Sequence, residues 1–195
     1  MPPDPRVLRT RTSPSTRSLE APPGFRYRAD LVFLDEERDL VERIQGLPLR
    51  EFKFHGFVGK RRTVSYGWHY SFGERTLRRA EEIPTFLLSL RDRAAAFAEL
   101  PATDLAHALV TEYSPGTAIG WHRDKSVFGD VIGISLLSPC VFRLRRKTEI
   151  GWRRYSLTAE PRSAYRLQGA ARTEWEHSIP GVHALRYSVT FRSVR

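Results

Sequence analysis

The sequence predicts a mainly β domain with flanking helices, an α+β chain whose strands close into a two-sheet jelly roll. Three observations carry that expectation. Only two stretches show helical periodicity, and both lie in the first half of the chain. Downstream of Leu105 the sequence breaks into short apolar or alternating runs separated by Gly, Pro and Ser turns. The 195 residues, 41% of them hydrophobic, are enough for one core and too few for two full domains.

Taken in order, residues 1–22 are rich in Pro, Ser, Thr and Arg and nearly devoid of large apolar side chains, so a disordered basic tail is expected. The folded domain is expected over 23–195. Phe25, Tyr27 and Leu31–Leu34 read as a strand. Asp35 is a candidate N-cap for a short helix striped by Leu40, Val41 and Ile44 and ended by Gly46. Ile83, Phe86, Leu87, Leu90, Ala94 and Phe97 place a second helix over 84–100. Strands follow near 106–113, 130–137, 140–146, 151–158, 163–168 and 184–192. Two helices and then about eight short strands suit helices packed on one face of a double sheet.

Composition narrows the function classes. Lys and Arg number 32 against 22 Asp and Glu, a net charge of +10 that favours a polyanionic partner. Cys140 is the sole cysteine, which excludes an intrachain disulfide and a four-cysteine zinc site and points to a reducing compartment. No apolar run approaches a membrane span, and the first residues lack a secretory apolar segment. A cytoplasmic protein is expected, or a nuclear one in a eukaryote, acting as a monomer without a membrane.

Chemistry concentrates in a few places. In an extended segment the side chains of His122 and Asp124 share a face, so they can hold one metal ion together. The third ligand must come from His55, His69, His107, His177 or His183. His177 stands in a polar step before the last strand, whereas His107 lies in an apolar run that suits the core. Two His and one carboxylate with open positions suit non-haem iron(II). On the last strand Arg186, Ser188, Thr190 and Arg192 share one face and Tyr187, Val189 and Phe191 the other. Such arginines either guard a solvent-wetted edge strand or line a dicarboxylate site. Upstream, Phe54–Arg62 reads as a hairpin whose apolar Phe57 and Val58 stand beside Lys60, Arg61 and Arg62, and Arg143–Lys147 with Arg153 and Arg154 form a second basic cluster.

Tyr113-Ser-Pro-Gly, Ile119-Gly-Trp-His122-Arg-Asp124, His177-Ser-Ile-Pro and Arg186-Tyr-Ser-Val-Thr-Phe-Arg192 together resemble the AlkB family of 2-oxoglutarate- and iron(II)-dependent dioxygenases, over roughly residues 25–195. The resemblance implies a double-stranded β-helix core over about 105–195, preceded by a nucleotide-recognition lid over about 50–75. It makes His122, Asp124 and His177 the iron(II) ligands and the catalytic centre. Arg192 would then pair with the distal carboxylate of 2-oxoglutarate, and Tyr113, Ser188 and Thr190 would line its pocket. Arg186 would sit at the metal-bound end beside Asp124. Phe57, Val58, Arg61, Arg62, Tyr66, Trp68 and Tyr70 become candidate contacts to a flipped base and its phosphates.

The implied reaction is oxidative dealkylation of bases such as 1-methyladenine and 3-methylcytosine in DNA or RNA, a form of alkylation repair that consumes dioxygen and 2-oxoglutarate. Repair members of the family often carry Asn where Thr111 and Ser188 stand. Many also place an acid just after the metal Asp, where this chain has Lys125 and Ser126. The same oxygenase chemistry on a protein, lipid or small molecule is one alternative. A catalytically inactive nucleic-acid-binding jelly roll is another.

Overall fold

The computed structural model describes residues 20–54, 57–71, 74 and 76–194, with the backbone alone at 52–54 and 57–59. Most of the expected basic tail therefore lies outside the described residues, as does His55.

The first strand is shorter than expected. β1 covers Phe25–Arg28, and Asp30 takes a left-handed φ of 50° that turns the chain out of the sheet. Leu31 and Val32 then donate their amides to the Arg162 carbonyl instead of extending a strand. Helix α1 spans Leu34–Gln45, starting one residue before Asp35; Phe33 is its cap, and Asp35, Glu36 and Glu37 sit in the positive first turn. Strands β2 (Arg50–Phe54) and β3 (Phe57–Tyr66) pair antiparallel, with Phe54 opposite Phe57. β4 (Trp68–Ser71) and β5 (Thr76–Arg79) form a separate two-stranded ribbon. The second helix opens with a 3₁₀ turn over Thr85–Leu87, continues as α2 (Leu88–Ala98), and stops where Glu99 turns left-handed at φ 59°.

Eight strands follow: β6 (His107–Tyr113), β7 (Ile119–His122), β8 (Phe128–Leu136), β9 (Cys140–Thr148), β10 (Gly151–Ala159), β11 (Ala164–Leu167), β12 (Glu176–Ile179) and β13 (Arg186–Val194). A third helix, α3 (Gly169–Thr173), has only five residues, too few to leave a periodic signal. The major sheet runs β1-β11-β8-β13-β6-β3-β2 and the minor sheet β10-β9-β12-β7. Residues 50–66, expected in the lid, thus continue the major sheet through β3–β6 pairing.

Strand β13 lies between β8 and β6, which removes the edge-strand reading of its arginines. Register decides what each face does. Tyr187, Val189 and Phe191 align with Glu112, Val110 and Ala108 and, except at Glu112, pack with Leu40, Ile44, Leu87, Leu90 and Phe97 into the core beneath the helices. Arg186, Ser188, Thr190 and Arg192 align with Tyr113, Thr111, Leu109 and His107 and face the minor sheet. A second cluster, including Phe25, Phe142, Leu144, Tyr165 and Trp175, fills one end between the sheets. Alternation along one strand thus separates a stabilising face from a chemical one.

Gly133 shows how tight the inter-sheet space is. A Cβ there would lie 2.3 Å from Tyr165 Cζ, and the Tyr165 ring is itself stacked on Phe142 at 4.2 Å between centroids. Gly133→Ala is expected to cost about 1–3 kcal/mol through overpacking. Urea unfolding checks this, and Gly133→Ala with Tyr165→Leu should recover part of the loss; no recovery would place the strain elsewhere.

Candidate metal and cosubstrate centre

The minor sheet brings the two candidate imidazoles together. β12 pairs antiparallel with β7 so that His177 sits directly opposite His122, with ring centroids 4.2 Å apart. The chain leaves β7 after His122, and two residues later Asp124 turns in beside them. One ligand atom from each of His122, Asp124 and His177 lies within 4.8 Å of the others. Of the five histidines weighed as the third donor, His69 and His183 are exposed and His107 belongs to the opposite sheet.

Each member is prepared for a cation. His122 Nδ1 lies 2.9 Å from the Gly120 carbonyl, which makes Nδ1 the protonated nitrogen and leaves Nε2 as a lone-pair donor. Burial, reinforced by His122, pushes the His177 imidazole down to about 3, so it stays neutral. Burial works to raise the Asp124 carboxyl, but Arg192 first, then His177 and His122, hold it below the ordinary carboxylate range. Asp124 Oδ1 accepts from Arg192 Nη2 at 3.0 Å, while Oδ2 is buried without a partner. An unpartnered buried carboxylate oxygen beside two imidazoles is the donor set of a facial triad for a divalent metal.

The major sheet supplies two buried guanidinium groups. Arg186 donates through Nε to Ser135 Oγ at 3.1 Å and lies 4.7 Å over the Tyr113 ring, while its Nη1 has no partner. Tyr113 and Ser188 join hydroxyls at 3.4 Å alongside. Arg192 has an unpartnered Nε as well. Two buried cations with spare donors, flanked by Thr111, Tyr113 and Thr190, fit a dicarboxylate.

Their order is the reverse of the expectation, which put Arg186 beside Asp124. Arg192 holds the metal-site carboxylate, and Arg186 lies with Tyr113 and Ser135 at the other end of the strand. The reason is geometric. Six residues of strand separate the two α-carbons by about 20 Å, and Asp124 stands at the His107 end, next to Arg192.

A cavity of about 1460 Å³ opens over the triad, larger than the usual small-ligand pocket and roomy enough for a cosubstrate and a second molecule. Arg61, His69, Tyr70, His107, Trp121, Lys125 and Arg192 are among its lining residues. Of the expected base contacts, Arg61 and Tyr70 face the cavity, with Lys125 Nζ 5.5 Å from the Tyr70 ring centre. Tyr66 and Arg62 do not. The register Arg62↔Glu112 and Tyr66↔Ala108 puts them on the helix side, where Tyr66 is core and Arg62 bonds Glu112 Oε1 and the Leu49 carbonyl. Trp68 lies under Arg79 at 4.6 Å and does not line the cavity. The side chains of Phe57 and Val58 lie outside the described residues.

Three contributors carried no local signal in the sequence. Arg172 of α3 donates to the Lys125, Phe128 and Gly129 carbonyls, pinning the loop that follows Asp124. Ser135 orients Arg186. His107, expected as a core residue, is buried yet borders the cavity 3.4 Å from Arg192 Nη1, with its ring against Phe128.

Burial first, and Arg192 second, hold the His107 imidazole well below its ordinary value of 6.5. The unfolded chain binds a proton near pH 6.5 that folded His107 does not accept. Its contribution is therefore complete above that pH and declines by up to about 1.4 kcal/mol per pH unit as pH falls below it. Urea unfolding at pH 7 and pH 5.5 should show a smaller acid loss for His107→Gln than for wild type. Equal losses would remove His107 from the acid sensitivity.

Comparison with known proteins places this geometry. A family model described as the 2OG-Fe(II) oxygenase superfamily matches residues 42–192. The alkylated DNA repair protein ALKBH8 homolog of Arabidopsis thaliana is 29% identical over 184 residues, which is 81% of this chain and 51% of that protein. The chain thus spans about half the length of the curated relative it matches. Among solved structures, OsALKBH1 superposes with a TM-score of 0.66 at 16% identity, covering 89% of this chain and 100% of that one. A Pseudomonas putida prolyl-4-hydroxylase gives 0.60 at 15% identity, covering 88% and 93%. At these identities the two structures show the shared jelly-roll fold.

Proposed function

From the premise that the chain belongs to the 2OG-Fe(II) oxygenase superfamily and is AlkB-like, a dioxygenase using iron(II), 2-oxoglutarate and dioxygen, we propose that it removes N-alkyl groups oxidatively from nucleobases in DNA or RNA. The observation that carries this reading is the triad of His122, Asp124 and His177 in the wall of a large cavity, with the buried Arg192 bonded to Asp124 beside it. The net charge of +10 and the similarity to an alkylated DNA repair protein of Arabidopsis thaliana support nucleic acid as the substrate class.

His122 through Nε2, His177 and Asp124 would hold the metal, and Arg192, bonded to Asp124 Oδ1, would leave Oδ2 to serve as the ligand. Arg186, with Tyr113 and Ser188, takes the distal carboxylate of 2-oxoglutarate, which orients the 2-oxo acid end toward the triad. When bound, iron(II) supplies the oxidising chemistry that splits dioxygen between 2-oxoglutarate, giving succinate and carbon dioxide, and a C–H bond of the substrate. The hydroxymethyl product on nitrogen then collapses to the free base and formaldehyde. Tyr70, Arg61 and Lys125 border the space where the base enters. The walls around the triad position the alkyl carbon, so the chain's own contribution is alignment. Its single cysteine suits the cytoplasm or, in a eukaryote, the nucleus, and it works as a monomer.

The test is succinate and formaldehyde release from oligonucleotides carrying 1-methyladenine or 3-methylcytosine, as DNA and as RNA, beside His122→Ala. Both products, lost in the variant, support the proposal. Succinate without formaldehyde would favour a second reading in which the same chemistry acts on a protein, lipid or small molecule; Ser126, standing where repair enzymes often carry an acid, is the observation that favours it.

A further inference from the structure

The minor sheet has an outer face that the reaction does not use. The register Trp152↔Lys147, Arg154↔Arg145 and Ser156↔Arg143 puts Arg143, Arg145, Lys147, Trp152 and Arg154 on one side of β9 and β10. There the Arg145 guanidinium lies between two indoles, 4.3 Å from the Trp121 ring centre and 4.2 Å from that of Trp152, with Arg143 5.0 Å from Trp121. Flat stacking on indole orders a guanidinium and leaves its edge N–H groups free to meet an anion.

Two features make this more than a wetted sheet. Arg154 stands directly opposite Arg145 on this face. Like charges in facing positions destabilise a sheet unless something anionic relieves them. Glu176, 2.7 Å from Arg145, answers only part of that charge, since the same face carries the exposed Lys147 and Arg154. Ile150 at the hairpin tip is fully exposed, and Trp152 is 39% exposed beside it. A flat array of ordered cations interleaved with indoles is the arrangement that tracks a phosphodiester backbone while stacking its bases.

We propose that the outer face of the minor sheet and the β9–β10 hairpin form a docking track for a single nucleic-acid strand, distinct from the cavity and leading to it. Trp121 joins the two, since it stacks on Arg145 and also lines the cavity one residue before His122. The track holds the strand that flanks the reacting nucleotide. It rests on the nucleic-acid reading of the substrate for its purpose, but not for its test.

The experiment is fluorescence anisotropy of the full chain with a labelled, unmodified single-stranded oligonucleotide over a salt series. In the Lys147→Gln/Arg154→Gln double variant, affinity should fall about tenfold and the salt slope should shrink by about 1.4, two contacts at about 0.7 each. Trp152→Ala should weaken binding by a similar factor through lost stacking, and Ile150→Ser, at a fully exposed position, gives a variant that cannot disturb the core. Circular dichroism melts confirm folding. Turnover of an alkylated mononucleotide should be unchanged in all variants, while KM for a long substrate rises. Unchanged affinity and slope in the folded double variant would overturn the track. So would intact oligonucleotide binding with lost binding to phosphatidylserine vesicles, which would assign the face to a membrane. If wild type releases no formaldehyde from any alkylated oligonucleotide, the dealkylation reading fails while anisotropy still decides the track.

Discussion

Asp124→Ala is expected to abolish iron-dependent turnover, well beyond the roughly 10–100-fold loss that follows removal of a supporting contact to a metal ligand. Two effects combine. The substitution removes the sole oxygen donor of the His122, Asp124, His177 cluster, and it strands Arg192, whose side chain is 10% exposed and whose carboxylate partner in the cluster is Asp124. Leaving a buried charge without its partner costs about 3–5 kcal/mol. Asp124→Asn separates the two effects, because its amide oxygen can still accept from Arg192 while its bond to a metal is far weaker. The measurements are Fe(II)-dependent succinate release, cobalt(II) binding by absorbance, and urea unfolding of the metal-free protein. Asn should lose the metal and turnover with a smaller loss of stability than Ala. Full turnover in Asp124→Asn would remove Asp124 from the metal centre.

The second large effect is expected at Arg186. Arg186→Gln should raise the KM for 2-oxoglutarate about 100-fold, the roughly 3 kcal/mol attached to losing one member of a buried, hydrogen-bonded charge pair. Glutamine keeps a partner for Ser135, so folding should survive. The informative readout is selectivity. Wild type should prefer 2-oxoglutarate strongly over a 2-oxo acid of similar length that lacks the distal carboxylate, and Arg186→Gln should lose most of that preference. Arg192→Gln should keep it while weakening metal binding. The opposite pattern would restore the order implied by the family resemblance, with Arg192 at the distal carboxylate.

That exchange of roles marks where reading the chain alone stops. Alternation along 186–192 separates an apolar face from a polar, basic one, and the two faces are there in the structure. Whether the basic face met solvent or a cavity depended on neighbours. Placing β13 between β6 and β8 buried it, and placing β7 at one end decided which arginine met Asp124. Tyr66 and Arg62 failed as cavity residues for a related reason. In β3 Arg61, Thr63 and Ser65 line the cavity while Arg62 and Tyr66 face the helices, a parity set by pairing with β6 that local composition does not reveal.

What the sequence by itself determined is the class of fold, the residue types of the metal cluster and the existence of a two-faced last strand. These rest on local chemistry: the period of apolar residues, the scarcity of cysteine, and the requirement for two imidazoles and a carboxylate. What only the tertiary structure decided is which groups share a space. His177 reaches His122 because β12 pairs with β7, 55 positions apart in the chain. Arg172 reaches the loop after Asp124 from a helix too short to see, and Arg145 of β9 lies between Trp152 of the neighbouring β10 and Trp121 of β7, across β12. Such contacts are consequences of strand order and register, which are settled by burial of the whole chain rather than by any segment of it.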